Sequence, residues 1–129
     1  MRLLLDTHAL FWWLYFPELL PPRVRELLGD RQVPVFASAV SAYEMSYKHH
    51  RGRWPEIAPL VEAFEEVAAA EGFDLLALSA RHAVRAGSYG PEHRDPFDRM
   101  LAAQAAVEGL TLVSKDAWLG ELGAEVVWG

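Results

Sequence analysis

The chain has 129 residues, a formal net charge of −6 and no cysteine, which excludes disulfides, thiolate metal sites and cysteine nucleophiles. Its length is typical of a single domain that folds without a stabilising metal or disulfide. Its acidic net charge counts against a stable, non-specific nucleic-acid binder but not against an enzyme with clustered acids. Neither a signal segment nor an apolar run near the ~20 residues of a membrane span is present, which predicts a soluble, cytoplasmic protein with no membrane partner.

Short apolar runs alternate with helical patterns in the amino-terminal half. Leu3-Leu4-Leu5 predicts a strand buried on both faces, as in parallel sheets covered by helices. Residues 8–16 are apolar nearly all round and stop at Pro17, which predicts a short helix. The same patterns predict a strand at residues 33–37 and helices at residues 23–28, 38–50 and 56–70.

The second half continues this alternation. Asp95 as N-cap and Pro96 at the first helical position are a strong start signal for a helix that ends at Gly109. Strands are predicted at residues 74–78, 110–113 and 125–128, and further helices at 79–86 and 116–122. Strands separated by helices imply right-handed crossovers. The expected fold is therefore a single α/β domain over residues 1–129, with a parallel sheet of about five strands between helices.

Four acids are placed where such a fold brings chain segments together. Asp6 follows the first strand, Glu44 is predicted in the first turn of the helix after the second strand, and Asp116 follows the fourth strand. Because parallel strands end at one edge, these three acids reach that edge by topology. Asp98, in the first turn of the helix that enters the fourth strand, reaches it only if the connection at residues 87–94 returns the chain to the same edge.

Each acid also has an explanation in helix capping. Ser41-Ala-Tyr-Glu44 matches a capping box, Asp98 suits the dipole of a first turn, and Asp116 can cap its own helix. Asp6 fits this interpretation least, because Thr7 could supply the cap.

Capping does not explain a cluster of carboxylates. Two of them about 4 Å apart repel by roughly 4 kcal/mol at an effective dielectric near 20, so a cluster needs a compensating cation. An all-oxygen donor set without cysteine favours Mg²⁺ or Mn²⁺, as one ion or two. A pair of such ions about 3.5–4 Å apart would activate water and stabilise the leaving oxygen of a phosphodiester.

Four collinear segments carry a family resemblance: LLLDTH at 3–8, SAVSAYE at 38–44, HRDPFDRMLAAQA at 93–105 and TLVSKD at 111–116. Together they resemble the PIN-domain ribonucleases, most closely the VapC toxins of type II toxin-antitoxin pairs. The resemblance implies a PIN-like three-layer α/β/α sandwich and Mg²⁺- or Mn²⁺-dependent cleavage of RNA. It also implies a homodimer and neutralisation by a cognate antitoxin protein.

The resemblance assigns roles to particular residues. The four acids match the family's catalytic metal-site positions, and Thr7 and Ser114 match its supporting hydroxyls. Asp95 is expected to be a helix cap; the alternative is that it supports the metal site without binding the ion directly. Arg94, Arg99 and Lys115 flank the acids and are candidates for binding RNA phosphates, although Arg99 could instead pair with a cluster acid and Lys115 could be a solvated turn residue.

Several other interpretations stay open. The basic run at residues 48–53 is expected to be a solvated helix end rather than an RNA track. The five histidines show no spacing that predicts metal-free cleavage by an imidazole pair. The aromatic helix at residues 8–16 is expected in the core, or as an apolar patch for a dimer or antitoxin. The rivals to the nuclease are a receiver-like Mg²⁺-binding signalling domain and a catalytically idle PIN-like binding module.

Overall fold

A five-stranded sheet forms the centre of the computed structural model, which describes residues 1–129. The strands are β1 (Leu3–Leu5), β2 (Val35–Ser38), β3 (Asp74–Leu76), β4 (Thr111–Val113) and β5 (Glu125–Val127). Their spatial order is β3-β2-β1-β4-β5, and every neighbouring pair is parallel. The predicted parallel α/β sheet of five strands is confirmed.

Helices cover the sheet and supply the crossovers. The α-helices are α1 (Thr7–Tyr15), α2 (Pro22–Gly29), α3 (Ala39–His50), α4 (Ala58–Glu62), α5 (Phe64–Ala70), α6 (Ala80–Ser88) and α7 (Pro96–Glu108). Short 3₁₀ helices lie at Pro17–Leu19, Pro55–Ile57 and Ala117–Leu122. None of these helices combines the length and the apolar surface needed to cross a lipid bilayer.

The central strand β1 shows why there are three layers. All three of its leucines are fully buried, and successive side chains of a strand point to opposite faces. Leu3 and Leu5 pack in one core with side chains of α1, α2, α4 and α5, whereas Leu4 packs in a second core with α7 and the 3₁₀ helix at 117–122. The chain is therefore an α/β/α sandwich, as the resemblance implied.

The strand order also determines where a ligand site can form. From β1 the chain moves outward through β2 to β3, then crosses to the other side of β1 for β4. In open parallel sheets, ligands bind at the carboxyl ends of the strands where the direction of winding reverses. Asp6 follows β1 and Asp116 follows β4, so both acids lie at that point. A receiver-like domain, whose strand order is 2-1-3-4-5, is excluded by the observed order.

Several element bounds differ from the sequence prediction by one to three residues, and three of the differences affect the structure around the site. The helix predicted at 56–70 is interrupted at Ala63, whose backbone leaves helical geometry (φ −134°, ψ 38°). The third strand ends at Leu76 because its only neighbour, β2, ends at the paired Ser38. Ser38 then caps α3 by accepting a hydrogen bond from the backbone N–H of Val40. Glu44 consequently lies in the second turn of α3, not in the first, and Ser41 is not part of a capping box.

Candidate active site

A cavity of about 310 Å³ opens at the carboxyl ends of β1 and β4. Its lining contains three of the four acids of interest, together with a serine, a lysine and two aromatic side chains: Asp6, Asp98, Asp116, Ser114, Lys115, His8 and Trp12. We call it the acid cavity. The connection before α7 thus does return Asp98 to the edge where Asp6 and Asp116 lie. Glu44 is buried and does not line this cavity, but its carboxylate raises the pKa of both Asp6 and Asp98.

Asp6 both ends β1 and begins α1. Its Oδ1 accepts a hydrogen bond from the backbone N–H of Ala9 at 2.7 Å, so it is the N-cap of the helix. The expectation that Thr7 could supply this cap is wrong, because Thr7 is already the first helical residue. Burial raises the pKa of Asp6, and the carboxylate of Glu44 adds to this. The hydroxyl of Ser114, the Ala9 N–H and His8 act in the opposite direction.

Asp98 also has a strongly perturbed carboxyl group. Its side chain accepts no hydrogen bond, while its backbone N–H donates to Asp95 Oδ1 at 3.2 Å. Burial raises the pKa of Asp98 to about 7, and the charges of Asp95, Asp6, Glu44 and Asp116 contribute in that order. Burial and mutual repulsion of the acids across one small space therefore both disfavour the charged form of Asp98.

Glu44 differs from the other acids because both of its oxygens already have partners. Thr7 donates its hydroxyl proton to Glu44 Oε1 at 2.6 Å, and the ammonium of Lys48, one helical turn on, pairs with Oε2. Since Thr7 has spent its only proton on Glu44, Ser41 must donate in the 3.0 Å bond between the two hydroxyls. The predicted supporting role of Thr7 thus has a concrete form, which is to hold a buried carboxylate (4% exposed) in place.

The remaining predicted acids are helix caps on the rim. Asp116 is exposed and caps the 3₁₀ helix at 117–122 by accepting from Trp118 N–H, while its own N–H donates to Ser114 Oγ at 3.1 Å. Asp95 is exposed and caps α7 through the N–H groups of Phe97 and Asp98. The capping interpretation of Asp95 is confirmed, and its charge is the largest acidic influence on the pKa of Asp98.

The three candidate phosphate-binding residues have different surroundings. Lys115 lines the acid cavity and Arg94 lines an adjoining cavity that also includes Asp98 and Asp116. Both are exposed and make no side-chain hydrogen bond. The guanidinium of Arg99 instead donates to four backbone carbonyls, those of Ala86, Tyr89, Gly90 and His93, at 2.6–3.2 Å. It pairs with no acid, so the alternative of an ion pair with the cluster is wrong.

Arg99 therefore acts on the shape of the chain. Its four acceptors belong to the end of α6 and to the connection that leads to Asp95. A planar guanidinium can bind several carbonyls at once in a fixed geometry. Because Arg99 follows Asp98 directly in α7, the same turn of helix anchors the connection and presents the acid.

Sequence reasoning missed two residues that build the site. Lys48 lies four residues after Glu44, a spacing typical of an ion pair on one helix face, and this signal was available. Gln104 is fully buried; it accepts a hydrogen bond from Ser38 at 2.6 Å and donates to the Ala77 carbonyl at 3.3 Å. It joins α7 to the ends of β2 and β3. A lone polar residue in the run Ala102-Ala103-Gln104-Ala105-Ala106 was its only signal.

The donor set fits a hydrated Mg²⁺ or Mn²⁺. All candidate ligands are oxygens, and burial, with the neighbouring carboxylates, raises the pKa of Asp6 and Asp98, so a cation there would favour their charged forms. No three His, Asp or Glu side chains converge closely enough to enclose an ion by themselves. Mg²⁺ rarely requires such a cage, because it usually keeps several waters and binds through one or two carboxylates and substrate phosphate. Asp6, Asp98 and Asp116 are the residues that could hold it.

Comparisons with known proteins agree with the fold. The model of the PIN domain family matches residues 3–124. The structure is similar to VapBC2 from Rickettsia felis bound to a promoter DNA fragment, with TM-score 0.70, 15% identity and full coverage of both chains. It is also similar to DNA-bound VapBC from Salmonella typhimurium (TM-score 0.66, 20% identity, 98% of this chain and 97% of that one). For FitAcB from Neisseria gonorrhoeae the values are 0.66, 19%, 96% and 95%. No curated protein sequence matches significantly.

Proposed function

Because the chain belongs to the PIN domain family, we propose that it is a metal-dependent endoribonuclease that hydrolyses phosphodiester bonds of RNA and serves as the toxin of a type II toxin-antitoxin pair. The observation that carries the proposal is the acid cavity, where Asp6, Asp98 and Asp116 face one space at the reversal point of the sheet. These three acids and Glu44 are the proposed catalytic and metal-site residues. The proposed cofactor is one or two Mg²⁺ or Mn²⁺ ions.

The chemistry divides between the ion and the chain. A bound divalent cation would lower the pKa of water and neutralise charge on the phosphodiester. The chain holds the acids in position: Ala9 N–H fixes Asp6, Arg99 anchors the approach to Asp98, and the Thr7 hydroxyl with Lys48 fixes Glu44. Asp98, with a pKa of about 7 in the absence of a cation, must lose its proton before it can ligate one.

The partners are proposed from the similar structures. VapBC2 of Rickettsia felis and VapBC of Salmonella typhimurium are two-component assemblies bound to DNA. We infer that this chain likewise binds a cognate antitoxin and also forms a homodimer in the cytoplasm. Sedimentation of the purified chain, alone and with the product of the adjacent reading frame, tests both associations directly.

The nuclease test is cleavage of a single-stranded RNA in Mg²⁺. We expect cleavage that stops in chelator and in Asp6→Asn, and that persists in Asp74→Asn. Asp74 is the matched control because it is an exposed acid at the amino end of the edge strand β3, whereas the acid cavity lies at the carboxyl ends of β1 and β4. Full cleavage in chelator would refute the metal-dependent mechanism. A folded wild type that binds metal and antitoxin but never cleaves RNA would favour the idle binding module.

A further inference from the structure

A second cavity, of about 330 Å³, adjoins the acid cavity. It lies between α1, α3 and the 3₁₀ helix at 55–57, and its lining is basic and aromatic: His8, Phe11, Lys48, Arg53, Trp54 and Glu56. We call it the basic aromatic cavity. His8 lines both cavities, so they lie on two sides of one side chain. A ligand that extends beyond the acid cavity past His8 enters this second space.

The aromatic part of the cavity is already assembled. The exposed His8 ring stacks on the buried Trp54 ring, with centroids 5.4 Å apart and planes inclined by 21°. Behind them, Phe11 meets Trp54 edge-on at 5.0 Å, which fixes the tryptophan in the core. Trp12, from the acid cavity, lies 5.7 Å from His8. Proteins that bind single-stranded nucleic acid use such exposed, rigidly supported rings to stack unpaired bases.

The charge of this cavity is opposite to that of its neighbour. Two cations, Lys48 and Arg53, face one acid, Glu56, whereas the acid cavity has three acids and one lysine. The Arg53 side chain is exposed and makes no hydrogen bond or ion pair; Lys48 pairs with Glu44 and is partly exposed. In a chain of net charge −6, the unpaired guanidinium of Arg53 beside the proposed scissile site favours a neighbouring phosphate.

We propose that the basic aromatic cavity is a subsite for the nucleotide next to the scissile phosphodiester of single-stranded RNA. Arg53, assisted by Lys48, binds that nucleotide's phosphate, and the ring of His8 stacks on its base. The proposal rests on the proposed function, since it assumes that the acid cavity takes the scissile group. It also assigns a role to the basic run at 48–53, which the sequence pattern alone assigned to a solvated helix end.

The test is binding, measured apart from cleavage. In the Asp98→Asn background, fluorescence anisotropy gives the affinity for a labelled single-stranded RNA of about 12 nucleotides at several salt concentrations. Removing one phosphate contact from a single strand should reduce the slope of log K against log salt by about 0.7, so Arg53→Ala should show this reduction. Arg25→Ala is the matched control, because Arg25 is an exposed α2 arginine without side-chain bonds. It should keep the parent slope.

The stacking contribution has its own pair of variants. His8→Ala should weaken binding about tenfold without changing the salt slope, and His8→Phe should restore most of the affinity, because stacking depends on a flat ring. Glu56→Gln should strengthen binding about two- to fivefold by removing the opposing charge, a gain that misfolding cannot produce. The same RNA as a duplex should respond to Arg53→Ala but not to His8→Ala, because its bases are not free to stack.

Equal salt slopes for Arg53→Ala and Arg25→Ala, or equal losses for His8→Phe and His8→Ala, would overturn the subsite. So would variants that bind RNA like the parent but lose affinity for the antitoxin, since the cavity would then serve a protein partner. The cleavage assay separates the two proposals. If the wild type cleaves RNA but these variants bind RNA normally, only the subsite proposal is refuted. If the variants bind as described but the wild type never cleaves RNA, only the nuclease proposal is refuted.

Discussion

Replacing Asp98 by asparagine tests whether the acids repel each other in the metal-free chain. The pKa of Asp98 is raised from 3.8 to about 7, roughly three units, which is equivalent to about 4 kcal/mol at 1.36 kcal/mol per unit. Asp98 is only half-buried, so solvent screening reduces this to about 2 kcal/mol. The lost attraction between a first-turn acid and the helix dipole costs about 0.3–1 kcal/mol. We therefore expect Asp98→Asn to stabilise the chain by about 1–2 kcal/mol in chelator at pH 8.

The pH dependence identifies the cause of this gain. Since the folded pKa lies above the unfolded one, folded Asp98 keeps a proton that the unfolded chain releases between about pH 4 and 7. Its contribution to stability is greatest below pH 4, falls as the pH rises to 7 and is constant above that. The difference in unfolding free energy between variant and wild type should consequently widen from pH 4 to 7 and then level off. Urea denaturation across this range measures it.

Mg²⁺ should reverse the order of stability of the wild type and the Asp98→Asn variant. Mg²⁺ at about 100 times its dissociation constant stabilises the protein that binds it by roughly 2.7 kcal/mol, so the wild type should overtake a variant that has lost a ligand. The control variant Asp74→Asn, whose substitution lies at the amino end of β3 and away from the acid cavity, should respond to Mg²⁺ as the wild type does. An Asp98→Asn variant that is less stable than wild type in chelator at pH 8 would refute the repulsion and leave Asp98 a helix-dipole acid.

Substitutions at three further residues have expected outcomes. Asp6→Asn should retain the α1 cap and, because it removes a buried charge, be at least as stable as the wild type in chelator. Asp6→Ala should lose about 1 kcal/mol relative to Asp6→Asn in urea denaturation, and both should abolish RNA cleavage. Arg99→Lys should cost about 2 kcal/mol, because one ammonium cannot satisfy the carbonyls that the guanidinium binds, and cleavage should fall with it. Glu44→Gln should destabilise by about 1–3 kcal/mol, because Lys48 loses its partner. Wild-type stability in either of the last two would contradict the assigned contacts.

The sequence predicted the fold because local signals agreed with each other. The apolar run Leu3-Leu4-Leu5 became the central strand, and Asp95-Pro96 began α7 as expected. Strand order, by contrast, depends on which helices pack against which face, and no local signal carries that. The reversal of winding at β1, which places Asp6 and Asp116 side by side, became visible only in the structure.

The site was less accessible to sequence reasoning where long-range contacts decide it. Asp98 reaches the acid cavity because Arg99 binds backbone carbonyls of the preceding connection, and backbone acceptors leave no pattern in side-chain identities. For the same reason the sequence offers for Arg99 only phosphate binding or an ion pair with an acid, on its charge and its place beside Asp98. Glu44 was placed one turn too early, because Ser41 resembled a cap although Ser38 is the cap. A sequence pattern cannot tell Ser38 from Ser41 as the helix cap, whereas the structure shows that Ser38 is the residue at which β2 ends.

Capping and metal binding are compatible roles for the same acids, because each role can use a different carboxylate oxygen. Asp6 and Asp116 each use Oδ1 to accept a backbone N–H at the start of a helix, and their second oxygens bind no backbone N–H. A cap fixes the carboxylate's direction, and a helix N-terminus at the carboxyl end of a parallel strand faces the crevice in which ligands bind. The same bond that begins the helix therefore orients an acid toward the space in which the proposed cation would bind. It follows that asparagine, which caps as well as aspartate, is the substitution that separates the two roles at these positions.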